Sequence, residues 1–129
     1  MAERELILPE GSKRTYENFK FAPAIRAAGK TYCSGAIGVG PDGKVSDDPE
    51  TQFSMAFESV KSVLAEAGLT FDDVVDITTF HVGLNKHMRT FMKVKDQYVN
   101  APYPAWTAIG ITELAYPGGL VEIKVVAVG

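Results

Sequence analysis

The last strand-like segment constrains this chain most. From Leu120 to Val128, Val121, Ile123, Val125 and Ala127 share one wholly apolar face, and strict period-two alternation is the signature of a β-strand. The opposite face reads Leu120, Glu122, Lys124, Val126, Val128, apolar at both ends with two charges in the middle. Before it, Tyr103-Pro104-Ala105-Trp106-Thr107 leads into a second strand, where Thr107, Ile109 and Ile111 take one face and Trp106, Ala108, Gly110 and Thr112 the other. Each strand has one face suited to a core and a second face too apolar for water yet carrying polar groups. Such a sheet is expected to be covered on both sides, with a site on its second face.

Length and composition narrow the class. The 129 residues suit one domain, long enough to bury about two thirds of the surface its unfolded chain exposes. A net charge of −3 and a pI near 5.3 disfavour a nucleic-acid groove, which would carry a basic stripe. A single cysteine, Cys33, excludes an internal disulfide and fits a reducing compartment. Met1-Ala2-Glu3-Arg4-Glu5 lacks the apolar run of a signal peptide, and no apolar stretch is long enough to span a bilayer. The expectation is a soluble cytoplasmic domain that contacts neither nucleic acid nor membrane.

Along the chain, Glu5 to Leu8 is predicted as a short strand, stopped by Pro9 and a Gly11-Ser12 turn. Ala24–Ala28 and Thr31–Val39 follow as strands joined through Gly29-Lys30, and Gly40-Pro41-Asp42-Gly43 reads as a turn. Asp48 and Pro49 supply an N-cap and a first helical residue for a helix whose face is Phe53, Ala56, Val60, Val63, Leu64 and Ala67, ended by Gly68. Thr70 to Asp73 fits a capping box, and Val74 to Val82 is rich in β-branched residues. Asn85 opens a second helix with Met88, Phe91, Met92, Tyr98 and Val99 on its face. The resulting order predicts an α+β fold over residues 1–129: a single mixed sheet of about six strands with two helices on one face. Two helices leave the other face uncovered, so a closed homo-oligomer is expected.

Five segments in order carry a resemblance. Phe21-Ala22-Pro23-Ala24-Ile25-Arg26-Ala27-Ala28-Gly29, Tyr32-Cys33-Ser34-Gly35-Ala36-Ile37, the stretch from Phe71 to Phe80, Tyr103-Pro104-Ala105-Trp106, and Val121-Glu122-Ile123-Lys124-Val125 resemble the RidA (YjgF) family across Phe21 to Val128. The resemblance implies a chorismate-mutase-like fold and a homotrimer whose ligand sites lie in clefts between subunits. It also implies hydrolysis of reactive 2-imino acids to 2-keto acids and ammonia. In the family an arginine after the Pro-Ala pair clamps the substrate carboxylate, helped by the Ser-Gly backbone, a tyrosine near the N-terminus and a glutamate in the last strand. Here Ser34, Gly35 and Glu122 match. Trp106 stands at the arginine position, Phe21 at the tyrosine position, and Ala108 where a thiol or hydroxyl is common. An indole cannot make a bidentate, charge-assisted contact to a carboxylate, so the chain resembles an arginine-less subgroup.

The candidate site therefore comprises Glu122 as the catalytic group, with Trp106, Phe21, Ser34, Gly35 and His81 as substrate-binding residues. Glu122 suits orienting or deprotonating a water; the competing reading is an ion pair with Lys124 or with a neighbouring subunit. Trp106 is either a stacking platform or interface core. Ser34-Gly35 inside a strand signals close backbone approach. His81 is either an acid–base group or a hydrogen-bonded structural histidine. His81 and His87 match no metal-ligand spacing, so neither a metal nor another cofactor is expected, and Cys33 reads as packing. Lys124, Arg26 and Arg89 are the cations available to replace the clamp. The reading is a hydrolase (deaminase) acting on a small imine or enamine, or a non-catalytic trimer that binds a small molecule in the same cleft. Ribonuclease action is disfavoured by the acidic charge.

Overall fold

The computed structural model describes residues 3–129. Its strands are β1 (Glu5–Ile7), β2 (Ala24–Ala27), β3 (Lys30–Cys33), β4 (Ala36–Ile37), β5 (Val74–Val82), β6 (Ala105–Ile111) and β7 (Val121–Val128), and its helices are α1 (Lys13–Phe19), α2 (Pro49–Glu66) and α3 (Leu84–Lys95). They form one unclosed mixed sheet in the order β1-β2-β3-β7-β5-β6, with β4 also pairing β7. β5 and β6 run parallel through the α3 crossover, and the other pairs are antiparallel. The last strand in sequence is thus central in space.

The predicted alternation on β7 holds residue by residue. Val121, Ile123, Val125 and Ala127 are all fully buried beneath the helices. Against them lie Phe53, Phe57 and Leu64 of α2 and Phe91 of α3; the Phe91 ring meets those of Phe53 and Phe57 at 5.5 Å each. Complete burial of a Val or Ile contributes roughly 1.5–3 kcal/mol. A charge at Ile123 would forfeit that and add an unpaired ion. α2 begins where the sequence placed it: Asp48 accepts from Thr51 N at 3.0 Å and from Thr51 Oγ1 at 2.7 Å. The Thr70–Asp73 capping box is also present, on a single 3₁₀ turn.

Three local expectations are corrected. A third helix, α1, precedes β2. It escapes pattern reading because it buries no residue, and because Ser12 turns its hydroxyl back to Pro9 O at 2.6 Å instead of capping the helix. The strand expected over Thr31–Val39 is broken at Ser34-Gly35 into β3 and β4. Of the face expected on the second helix, Met88 and Phe91 meet the core from α3, and Tyr98 and Val99 do so from beyond its end, whereas Met92 is exposed and Val94 is buried in its place.

The second face of the sheet is open. Cross-strand register lines up Leu6, Ile25, Tyr32 and Val126 in one row on it, with Phe80 and Ile109 in a second row beside Glu122 and with Asp76, Thr78 and Lys124 between. Leu6, Tyr32 and Ile109 are 38–45% exposed. Among the described residues the long helices α2 and α3 pack on the other side of the sheet.

Candidate functional site

Glu122 stands on that open face, opposite Phe80 of β5 and Ile37 of β4. The break between β3 and β4 makes room for it. A Cβ on Gly35 would sit 2.6 Å from Glu122 Cδ and 2.7 Å from its Cγ, so only glycine lets the carboxylate arm lie across the backbone there. Ser34 is pinned by two bonds, its N–H donating to Pro23 O at 2.9 Å and its hydroxyl to Ala22 O at 2.6 Å. Glu122 is half-buried and joins no ion pair among the described residues. Lys124, the partner weighed for it, donates instead to Cys33 O at 2.9 Å.

Glu122 forms part of the wall of a cavity of about 800 Å³, with Ser34, Gly35, Phe21, Phe19 and Tyr116. Ser59 and Val63 of α2 reach it as well, so it extends past β4 to the helix layer. Four of the six residues singled out from the sequence therefore meet in one place. Phe19 and Tyr116 were not singled out, since both sit in segments without apolar periodicity.

Trp106 and His81 are elsewhere. Parallel register puts Trp106 beside Ile77 and Gly110 beside His81, on the helix-covered side of the sheet. Within one protomer they do not share a face with Glu122. Trp106 donates its indole N–H to Thr79 Oγ1 at 2.9 Å, and the same hydroxyl lies 2.6 Å from His81 Nε2. His81 is 1% exposed, edge-on to Phe91 at 4.8 Å, and its Nδ1 has no partner among the described residues. Burial without a counter-charge pushes its pKa below the ordinary imidazole value, which keeps the ring neutral. Its place in this structure is a buried polar link that orients the indole.

A second, smaller cavity of about 300 Å³ opens beside Trp106, lined also by Met92, Lys95, Asp96 and Tyr103. Lys95 Nζ sits 4.3 Å from the indole ring centroid, a cation–π geometry, and partial burial lowers its pKa. Arg26 is occupied by Glu5 at 2.8 Å and by Ala67 O, and Arg89 is exposed on α3. Cys33 is buried and its thiol is pushed up to about 11, chiefly by that burial. Among the described residues, no cluster of His, Cys, Asp or Glu could hold a metal ion, and no helix is long and apolar enough to cross a membrane.

Comparison with known proteins places the chain in a family. The profile of the family described as Endoribonuclease L-PSP matches residues 12–129. The RutC family protein YjgH of Escherichia coli is 39% identical over 128 residues, covering 98% of this chain and 96% of its own. A solved structure of a protein named YJGH has a TM-score of 0.88 at 38% identity, covering 98% of this chain and 96% of its own. The Escherichia coli protein named "Putative reactive intermediate deaminase TdcF" is 28% identical over 84% of this chain and 85% of its own. The structure of E. coli TdcF with bound serine has a TM-score of 0.76 at 26% identity, covering 84% of this chain and 87% of its own. With the profile spanning nearly the whole chain and the fold shared throughout, this protein belongs to the Endoribonuclease L-PSP family, that of the YjgF and RidA proteins.

Proposed function

We propose that this protein is a RidA-like deaminase that hydrolyses a small reactive imine or enamine at Glu122. The observation that carries the reading is a carboxylate with no ion-pair partner, lying across a glycine into an aromatic-walled cavity. Glu122 takes a proton from water as the water oxygen attacks the imine carbon, and the C=N π pair moves to nitrogen. The proton then passes to that nitrogen, giving a carbinolamine; Glu122 takes the new hydroxyl's proton and delivers it to the amine nitrogen, the oxygen pair forms the C=O bond, the C–N bond breaks, and ammonia leaves. Water is the only co-reactant. An RNA substrate fits poorly, since no Lys, Arg or His lines this cavity among the described residues and phosphate contacts need cations.

The assembly belongs to the same proposal. Further copies of the chain cover the open, partly apolar face, and the family resemblance makes the closed form a trimer with its sheets inward. Glu122 and Trp106 lie on opposite sides of one sheet, so the indole at the usual arginine position reaches a Glu122 cavity only from a neighbouring subunit. The substrate is then not held by a carboxylate clamp, and turnover of 2-iminopropanoate is expected to be weak.

A second reading has its own support. Besides Glu122, the cavity wall offers no titrating group other than the Tyr116 phenol among the described residues, and a site without an acid–base pair suits a non-catalytic binding trimer. Glu122→Gln separates the two. The substitution keeps volume and hydrogen bonding but removes the base. Imine hydrolysis falling about a hundredfold or more with the oligomer and melting temperature unchanged supports catalysis. Unchanged hydrolysis withdraws the catalytic role, and dissociation of the oligomer shows an interface ion-pair role instead.

A further inference from the structure

We infer that the Glu122 cavity selects a cationic nitrogen, an ammonium or iminium group on an apolar or aryl substituent, and rejects carboxylates. The inference rests on the proposed function in placing the ligand at Glu122, but it does not require turnover. Three observations lead to it. Among the described residues the one charged side chain in the wall is the Glu122 carboxylate. Both donors of Ser34 itself, which an anion would want, are spent internally, the N–H on Pro23 O and the hydroxyl on Ala22 O. The rings of Phe19, Phe21 and Tyr116 line the same space and are 73%, 46% and 44% exposed.

A carboxylate beside aromatic faces is the arrangement that recognises ammonium ions, through charge on one side and ring quadrupoles on the others. An anionic ligand would meet Glu122 as a like charge, and the wall that one copy of the chain supplies holds no cation to offset its desolvation among the described residues. Phe21 contributes a ring and no hydroxyl, which removes one more donor from the wall. Gly35 is the positioning element, because any side chain there displaces the carboxylate.

The test uses three ligands with one ring and different heads: benzylamine, benzyl alcohol and benzoate. Their affinities for the intact protein are measured by calorimetry or saturation-transfer NMR near neutral pH. The expected order is amine, then alcohol, then benzoate, with about tenfold or more between the first and last. Glu122→Gln should bring the amine down to the level of the alcohol. Gly35→Ala should do the same by moving the carboxylate, which covers the case of a poorly folded Glu122 variant. Phe21→Ala should weaken the amine and the alcohol together. Benzoate binding as tightly as the amine would overturn the inference. So would an amine preference that survives both substitutions, or no binding of any ligand at about 10 mM. Loss of imine hydrolysis with this order intact would sink the deaminase reading alone.

Discussion

Thr79 joins two side chains, Trp106 and His81, whose ring nitrogens have no other hydrogen-bond partner among the described residues. Its hydroxyl is fully buried, accepts the Trp106 indole N–H at 2.9 Å and lies 2.6 Å from His81 Nε2. His81 already lacks a partner at Nδ1 among the described residues. Thr79→Val keeps the shape and strips both bonds, leaving a buried imidazole wholly unpaired and an indole N–H without its acceptor. An orphaned buried polar group costs about 1–3 kcal/mol. The half-buried indole recovers part of its loss from water, so the sum is roughly 2–3 kcal/mol. Unfolding entropy near the midpoint is about 2.1 cal/mol/K per residue, or roughly 0.27 kcal/mol/K over 129 residues. The melting temperature should therefore fall by roughly 7–11 °C, measured by calorimetry at matched protein concentration because oligomers melt in a concentration-dependent way. Since Trp106 is the single tryptophan, its emission spectrum should shift in Thr79→Val and stay near wild type in Thr79→Ser. A Thr79→Val protein melting within about 2 °C of wild type would refute the buried link.

Three further outcomes follow from the same geometry. His81 has a folded pKa below the ordinary 6.5, so the unfolded chain binds its proton first on acidification. Its contribution is intact above pH 6.5 and declines below it, by at most about 1.4 kcal/mol per pH unit. Denaturant titrations should show a shallower acid loss in His81→Gln. Cys33, with its thiol pushed up to about 11 and its side chain buried, should resist iodoacetamide in the native protein and react after denaturation. Native mass spectrometry should report about 42 kDa, three copies of the 14.0 kDa chain; a monomer would remove both the covered apolar face and the inter-subunit site.

How legible the fold was depended on whether an element buries a face. β7, α2 and the 70–73 capping box were readable because burial and capping leave periodic or paired residues in the sequence. α1 was not, because Lys13–Phe19 buries nothing and its stabilising contacts leave no stripe. The site was half legible. Ser34, Gly35, Phe21 and Glu122 could be grouped by motif, and the structure groups them. Trp106 could not be assigned a side from alternation alone. Both faces of β6 mix small, polar and apolar residues, and the choice is made by register with β5, where Ile77 and Thr79 are buried. A period of two says which residues share a face but not which face meets the helices.

The division of labour on β7 separates the residues that hold the fold from those that line the candidate site. Val121, Ile123, Val125 and Ala127 are locked by complete burial, so large-to-small changes there cost about 1–5 kcal/mol. Glu122 and Lys124 lie between them in sequence but point away from the core. Their chemistry can change without touching the packing that holds the strand. The constraint on Glu122 comes instead from across the ladder, where Gly35 must stay free of a Cβ. Gly35 is fixed in turn by the break after β3, which Ser34 secures through Pro23 and Ala22. The catalytic candidate and its backbone gap therefore form one unit on the central strand. Phe19, Phe21 and Tyr116 form another on peripheral segments, all three at least 44% exposed. Substitution in that outer ring changes what the cavity admits at little cost to folding, whereas substitution at Gly35 changes where the carboxylate can be.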